Sequence, residues 1–170
     1  QILLREHVCA LPVSVFNLAR GMGINVTYYD STTDDDGYSM NLRGKPTIFV
    51  NRNVSNGRKR FTAAHELGHI LLGHVGKHTL VNREPSASDN PIEQETNVFA
   101  SRILAPACVL WALNVQTPEE IAALCDISLP AARYRMERMR ILYARDKFLT
   151  SPLEQRVYEQ FLPFIRNYGL

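Results

Sequence analysis

The 170-residue sequence has few cysteines, and their spacing excludes several kinds of site. The three cysteines, Cys9, Cys108 and Cys125, are an odd number, lie far apart and have apolar neighbours. No Cys-x-x-Cys pair is present, so a cysteine-based zinc or redox site is not expected. Isolated thiols in apolar surroundings are typical of reduced, buried cysteines in an intracellular protein, and we therefore expect a cytoplasmic location.

Long apolar runs and a strong net charge are also missing. No apolar stretch approaches the roughly 20 residues that a membrane-spanning helix needs, so no membrane partner is expected. The N-terminal stretch QILLREHVCALPV contains charges and lacks the small-residue cleavage pattern of a signal peptide. The formal net charge of +2 is too small to indicate a polyanionic partner.

The order of the predicted elements indicates an α+β fold with a small antiparallel sheet. A short helix around Phe16 precedes extended stretches at 24–30, 37–43 and 46–51, which turn-like segments connect. Everything after these stretches has helical periodicity or is a polar connection.

Further helices are predicted at 57–72, at 91–104, after Thr117 and in the C-terminal tail. Thr117 is expected to cap its helix, with Glu120 completing a capping box. The polar segment 75–90, between the first two of these helices, is predicted to be a surface loop.

The stretch RFTAAHELGHILLGH (60–74) places two histidines four residues apart on the first of these helices. Successive helical residues advance by about 100°, so His65 and His69 leave the helix on one face and can converge on one metal ion. Both border the apolar stripe of the helix, where Gly68 would let a neighbouring helix approach closely. Two imidazoles are not sufficient, since catalytic zinc usually has three protein ligands and a water.

The helix predicted at 91–104 supplies the missing ligand. Glu93 flanks the buried stripe of this helix on the same side as Asn97, whereas Glu95 points about 200° away and is expected to be solvated. We therefore predict that Glu93 is the third metal ligand. Asn97 could orient a ligand through a hydrogen bond.

Glu66 directly follows the first histidine, and its direction suits a different role. It lies about 100° round the helix from His65, so it can reach a metal-bound water but is badly placed to bind the metal as well. A metal lowers the pKa of such a water from about 15.7 towards about 7. Glu66 is predicted to take the proton as general base and return it to the leaving amine, which amounts to peptide-bond hydrolysis.

Two further histidines lie close to this motif in the sequence. His74 and His78 could bind the substrate or the developing oxyanion. His74 directly follows Gly73, where a helix C-terminus favours a cation, so helix capping is the favoured interpretation of His74. No tyrosine is placed well enough to be assigned as an oxyanion stabiliser.

Two motif blocks of the sequence resemble those of the ImmA/IrrE family of metallopeptidase-like proteins. The blocks are FTAAHELGH (61–69) and ETNVFASRILAP (95–106), with Glu93 two residues upstream of the second. Thr96 stands where the family usually has alanine, and LAP replaces a common LMP. Neither departure affects a predicted ligand.

The resemblance implies a zinc ion bound by His65, His69 and Glu93, with Glu66 as the catalytic residue. It also implies a bacterial or phage cytoplasmic endopeptidase whose substrate is a protein partner. In this family the partner is often a helix-turn-helix transcriptional repressor, whose cleavage or inactivation relieves repression of mobile-element or stress genes.

The C-terminal part of the chain has the pattern of a helix-turn-helix. We expect residues 1–115 to form the zinc metallopeptidase-like core and residues 116–170 to form a helical subdomain packed on it. The second helix of this pattern is rich in arginine, with Arg133, Arg135, Arg138 and Arg140. Residues 117–147 nevertheless hold six basic and five acidic side chains, so we expect solvent-exposed arginines and do not favour a nucleic-acid partner.

A second function, from a different class, stays open. The chain could be a non-catalytic regulatory module that keeps a structural metal site and contacts a repressor or DNA through its helical C-terminal part. Replacing Glu66 with glutamine separates the two functions, because only the enzyme loses its activity.

Overall fold

The computed structural model describes residues 1–33, 35–75 and 90–168. Within them the chain forms eight helices and three strands, which confirms the α+β class. The helices are α1 (Ile2–Arg5), α2 (Val15–Gly21), α3 (Asn56–Leu71), α4 (Pro91–Leu104), α5 (Ala107–Ala112), α6 (Pro118–Cys125), α7 (Leu129–Ala144) and α8 (Pro152–Tyr168). The strands are β1 (Asn25–Tyr29), β2 (Gly37–Leu42) and β3 (Lys45–Asn51). His78 and most of the predicted loop 75–90 lie outside the described residues.

The sheet has three strands, but it is mixed and not purely antiparallel as predicted. β3 is the central strand, parallel to β1 and antiparallel to β2. β2 and β3 form the expected tight hairpin, with positive φ angles at Arg43 and Gly44 (52° and 82°). β1 and β2 flank β3 and are therefore about 10 Å apart, two strand spacings, a distance that the seven-residue connection 30–36 is long enough to span.

Contacts divide the chain into two compact units. One unit is Ser14–Ser101, and the other combines Gln1–Val13 with Arg102–Leu170. The expected division into a core of residues 1–115 and a subdomain of residues 116–170 stays a prediction.

In the unit Ser14–Ser101, α3 packs on β2, β3 and α2. Helix α4 approaches α3 at Gly68, which lies in the buried part of α3. A Cβ atom at Gly68 would lie 2.9 Å from a ring carbon of Phe99 and 2.9 Å from the methyl group of Thr96. The absence of a side chain at Gly68 therefore allows the two helices to meet.

In the other unit, α6 packs on α7, α5 on α8, and α1 on α8. The predicted capping box at the start of α6 is confirmed. Thr117 accepts a hydrogen bond from the backbone N–H of Glu120, and the Glu120 carboxylate accepts one from the backbone N–H of Thr117. Asp126 ends α6 in the left-handed conformation, and Ser128 caps the start of α7.

Arg135 on α7 is buried, which corrects the expectation that the arginines of this helix face solvent. Its Nε atom donates a 2.7 Å hydrogen bond to the carbonyl oxygen of Ala105. Burial, and next the nearby Arg102 guanidinium, lower the pKa of Arg135 to about 10. Arg133, Arg138 and Arg140 are exposed.

The cysteines differ in their surroundings. Cys108 and Cys125 are buried, as expected, whereas Cys9 is exposed because it lies in the irregular segment after α1. Burial, with a smaller contribution from the Glu154 carboxylate, raises the pKa of the Cys108 thiol to about 11. None of the helices in the described ranges is both long and apolar enough to cross a membrane.

Candidate metal centre

Helix α3 carries the two histidines of the motif and has a defined stop signal at each end. At its start, Ser55 accepts a hydrogen bond from the backbone N–H of Arg58. At its end, Gly73 has a φ of 76°, and its N–H donates to the carbonyl of Ile70. The N–H of His74 donates to the carbonyl of His69, which completes a Schellman motif. Both histidine side chains lie in the last two turns of α3, where they are buried.

The structure brings His65, His69 and Glu93 together. Their Nε2 and carboxylate oxygen atoms approach closely: the two Nε2 atoms are 3.0 Å apart. One Glu93 oxygen is 3.0 Å from His65 Nε2, and the other is 3.3 Å from His69 Nε2. All three residues are buried, and the group could hold a metal ion.

The chemistry and spacing of these donors fit a divalent metal. Ligand atoms that surround a tetrahedral ion at about 2.0–2.2 Å lie roughly 3.3–3.6 Å from one another, slightly more than the 3.0–3.3 Å seen here. Two nitrogens and one carboxylate oxygen are the donor set of His₂Glu catalytic sites, which keep a fourth position for water or substrate. A bound cation would also counter the buried carboxylate charge.

Asn97, one turn along α4 from Glu93, contacts the opposite nitrogen of the first histidine. The Nδ1 atom of His65 donates a 2.9 Å hydrogen bond to Oδ1 of Asn97. Because an amide oxygen can only accept, this bond holds the proton on Nδ1. The Nε2 atom of His65 then has its lone pair directed towards Glu93, as a metal ligand requires.

Glu66 directly follows His65 in the sequence and is buried, but it is not one of the three grouped donors. One of its carboxylate oxygens accepts a 2.8 Å hydrogen bond from the hydroxyl of Ser39 on β2. We did not predict a role for Ser39 from the sequence. The sequence around Ser39 carries no local signal of a partner 27 residues away.

Glu93 and Glu95 differ sharply in burial. The Glu93 side chain is 6% exposed, and the Glu95 side chain is 60% exposed. Glu95 is therefore solvated, as expected. Its Oε2 atom lies 3.7 Å from Nε2 of His74, away from the three donors.

His74 turns its side chain towards His69. The Nδ1 atoms of the two rings are 3.2 Å apart. The backbone N–H of His74 closes the end of α3, and its imidazole contacts a predicted metal ligand. The expected capping of the helix C-terminus by a cationic His74 stays a prediction.

Comparison with known families adds one finding. The sequence model of the family described as IrrE N-terminal-like domain, Peptidase_M78, matches residues 19–137. This range is more than half of the chain and includes the sheet, α3, α4 and every residue of the candidate metal centre. No curated protein matches the chain.

Proposed function

The chain belongs to the Peptidase_M78 family of IrrE N-terminal-like domains, and from this premise we propose that it is a zinc-dependent endopeptidase acting on a protein partner. The observation that carries the proposal is the buried group of two imidazoles and one carboxylate, with a second buried carboxylate, Glu66, next to it in the sequence. The family and the donor group support a metallopeptidase-like domain, and zinc is the ion that most often occupies a His₂Glu set.

We assign metal binding to His65, His69 and Glu93, and general acid–base catalysis to Glu66. When bound, the ion would supply Lewis-acid activation of a water molecule and of the scissile carbonyl group. Glu66 takes a proton from the attacking water and delivers it to the nitrogen of the leaving amine, so that the peptide C–N bond breaks. Ser39 holds the Glu66 carboxylate in one orientation through its hydroxyl hydrogen bond.

The partner that we propose is a helix-turn-helix transcriptional repressor in the cytoplasm. The likeness of the two motif blocks at 61–69 and 95–106 to ImmA/IrrE proteins supports this choice. Cleavage of the repressor would relieve repression of mobile-element or stress genes.

The test replaces Glu66 with glutamine, which has nearly the same shape but cannot take up the proton. We expect Glu66→Gln to retain bound zinc and to lose at least about 10²-fold in kcat on a co-purified repressor, measured by mass spectrometry of the cleavage products. Glu95→Gln, the same change at a solvated position of α4, is the matched control and should retain both properties.

Cleavage by Glu66→Gln at the wild-type rate would refute the catalytic assignment. Loss of both zinc and cleavage in this variant would instead place Glu66 among the metal ligands. Wild-type regulatory output from the Glu66→Gln protein would favour a non-catalytic module.

A further inference from the structure

The imidazole of His74 lies on the side of His69 opposite to the metal-facing nitrogen. His69 directs Nε2 towards Glu93 and Nδ1 towards His74. The two rings are nearly perpendicular, at 68°, with their centroids 5.3 Å apart. The His74 side chain is only 12% exposed, so it is held in this contact rather than extended into solvent.

The local sequence explains why His74 reaches His69. In a Schellman motif the chain reverses at a residue with positive φ, and the next residue packs against the one five positions earlier. Gly73 supplies the positive φ, so the packed pair is His74 and His69. An apolar pair usually occupies these two positions. Here both are imidazoles, which can exchange a hydrogen bond.

The direction of this hydrogen bond follows from the metal site. A histidine that binds an ion through Nε2 carries its proton on Nδ1, so His69 must donate and His74 Nδ1 must accept. The proton of His74 then lies on Nε2, which is 3.7 Å from the Glu95 carboxylate. His74 thus accepts a hydrogen bond from Nδ1 of His69, as Asn97 accepts one from Nδ1 of His65.

We propose that His74 is a positioning residue, which fixes the ring and the tautomer of the metal ligand His69 by accepting a hydrogen bond from its Nδ1 atom. This inference rests on the proposed metal site. It gives a role to the glycine–histidine pair that ends α3, which the catalytic scheme does not use. Partners of this kind typically contribute 10–100-fold to metal affinity.

The test measures zinc affinity of the purified full chain by competition with a chromogenic chelator, so it needs no substrate. Three variants at His74 separate orientation from packing. His74→Leu fills the space without an acceptor, and we expect about 10–100-fold weaker zinc binding. His74→Asn supplies an amide oxygen near the position of Nδ1, and we expect affinity within about threefold of wild type. His74→Ala removes both features and should bind zinc at least as weakly as His74→Leu.

Glu95→Gln is the control for the contact between His74 Nε2 and the Glu95 carboxylate. Because the Glu95 carboxylate is mostly exposed, its contact with His74 contributes little, and we expect a change of at most about threefold in zinc affinity. Circular dichroism of each variant without metal checks that the overall helix content is unchanged.

The outcomes are distinct. Tight zinc binding by His74→Leu, or binding by His74→Asn as weak as that of His74→Leu, would overturn the role of His74 and leave the metal site standing. A wild-type chain that binds no zinc would refute the proposed metal site itself, and this inference with it.

Discussion

Replacing Gly68 with alanine should disturb the metal site through packing alone, without touching a ligand. The new Cβ atom would lie 2.9 Å from Phe99 and from Thr96, about 0.5 Å short of the 3.4 Å at which ordinary contacts begin. Thr96 cannot yield easily, because it is fully buried and its hydroxyl donates a 2.7 Å hydrogen bond to the carbonyl of Ile92. We therefore expect α3 and α4 to separate.

The free energy of unfolding of Gly68→Ala results from two opposing contributions. Overpacking of this kind costs about 1–3 kcal/mol. Alanine in a helix interior recovers about 1 kcal/mol relative to glycine. We therefore expect a net destabilisation of about 0–2 kcal/mol, measured by chemical denaturation of the metal-free chain.

The effect on zinc affinity should be clearer than the effect on stability. The histidine pair is on α3 and Glu93 is on α4, so a separation of about 0.5 Å reaches the limit of displacement that a preorganised site tolerates. We expect zinc to bind at least about tenfold more weakly to Gly68→Ala. Adding Thr96→Ala removes one of the two crowding atoms and should recover part of the affinity. A Gly68→Ala chain with wild-type zinc affinity would refute the reasoning.

Two further predictions concern residues outside the ligand set. Ser39→Ala removes the hydrogen bond to Glu66 and should lower kcat about tenfold with unchanged zinc affinity, while Ser39→Thr keeps most of the activity. An unchanged kcat in Ser39→Ala would contradict the positioning of Glu66. Arg135→Ala leaves a cavity and removes the donor to Ala105, so the free energy of unfolding should fall by about 2–4 kcal/mol. The exposed Arg133→Ala is the control, expected within about 0.5 kcal/mol of wild type. Equal free energies of unfolding of these two variants, measured in urea, would show that the buried Arg135 side chain does not stabilise the fold.

Local signals predicted the long helices well. Helix α4 has the predicted bounds, and α3 differs from its prediction by one residue at each end, because periodicity and stop signals act within a few residues. The short helices α1 and α5, of four and six residues, were not predicted, since they complete too few turns to show a period.

Features that depend on distant parts of the chain were not predictable in the same way. β1 lies beside β3 and not beside β2. The turn-like composition of the segment after β1 does not specify which of these strands β1 pairs with. The hydrogen bond from Ser39 and the burial of Arg135 likewise join residues about 30 positions apart. The three donors are an exception. Helical spacing placed the histidine pair on one face, and the buried stripe of α4 directed Glu93 towards the core, where the structure places it beside them.

The most direct test of the account compares zinc bound by Glu93→Ala and by Glu95→Ala, two residues apart on α4. Zinc content after dialysis against a limiting chelator should be one ion per chain for wild type and for Glu95→Ala. It should fall severely for Glu93→Ala, with at least about 10²-fold weaker binding, because a ligand and its negative charge are lost together. Retention of zinc by Glu93→Ala, together with its loss from Glu95→Ala, would contradict the account and transfer the ligand role to the exposed carboxylate.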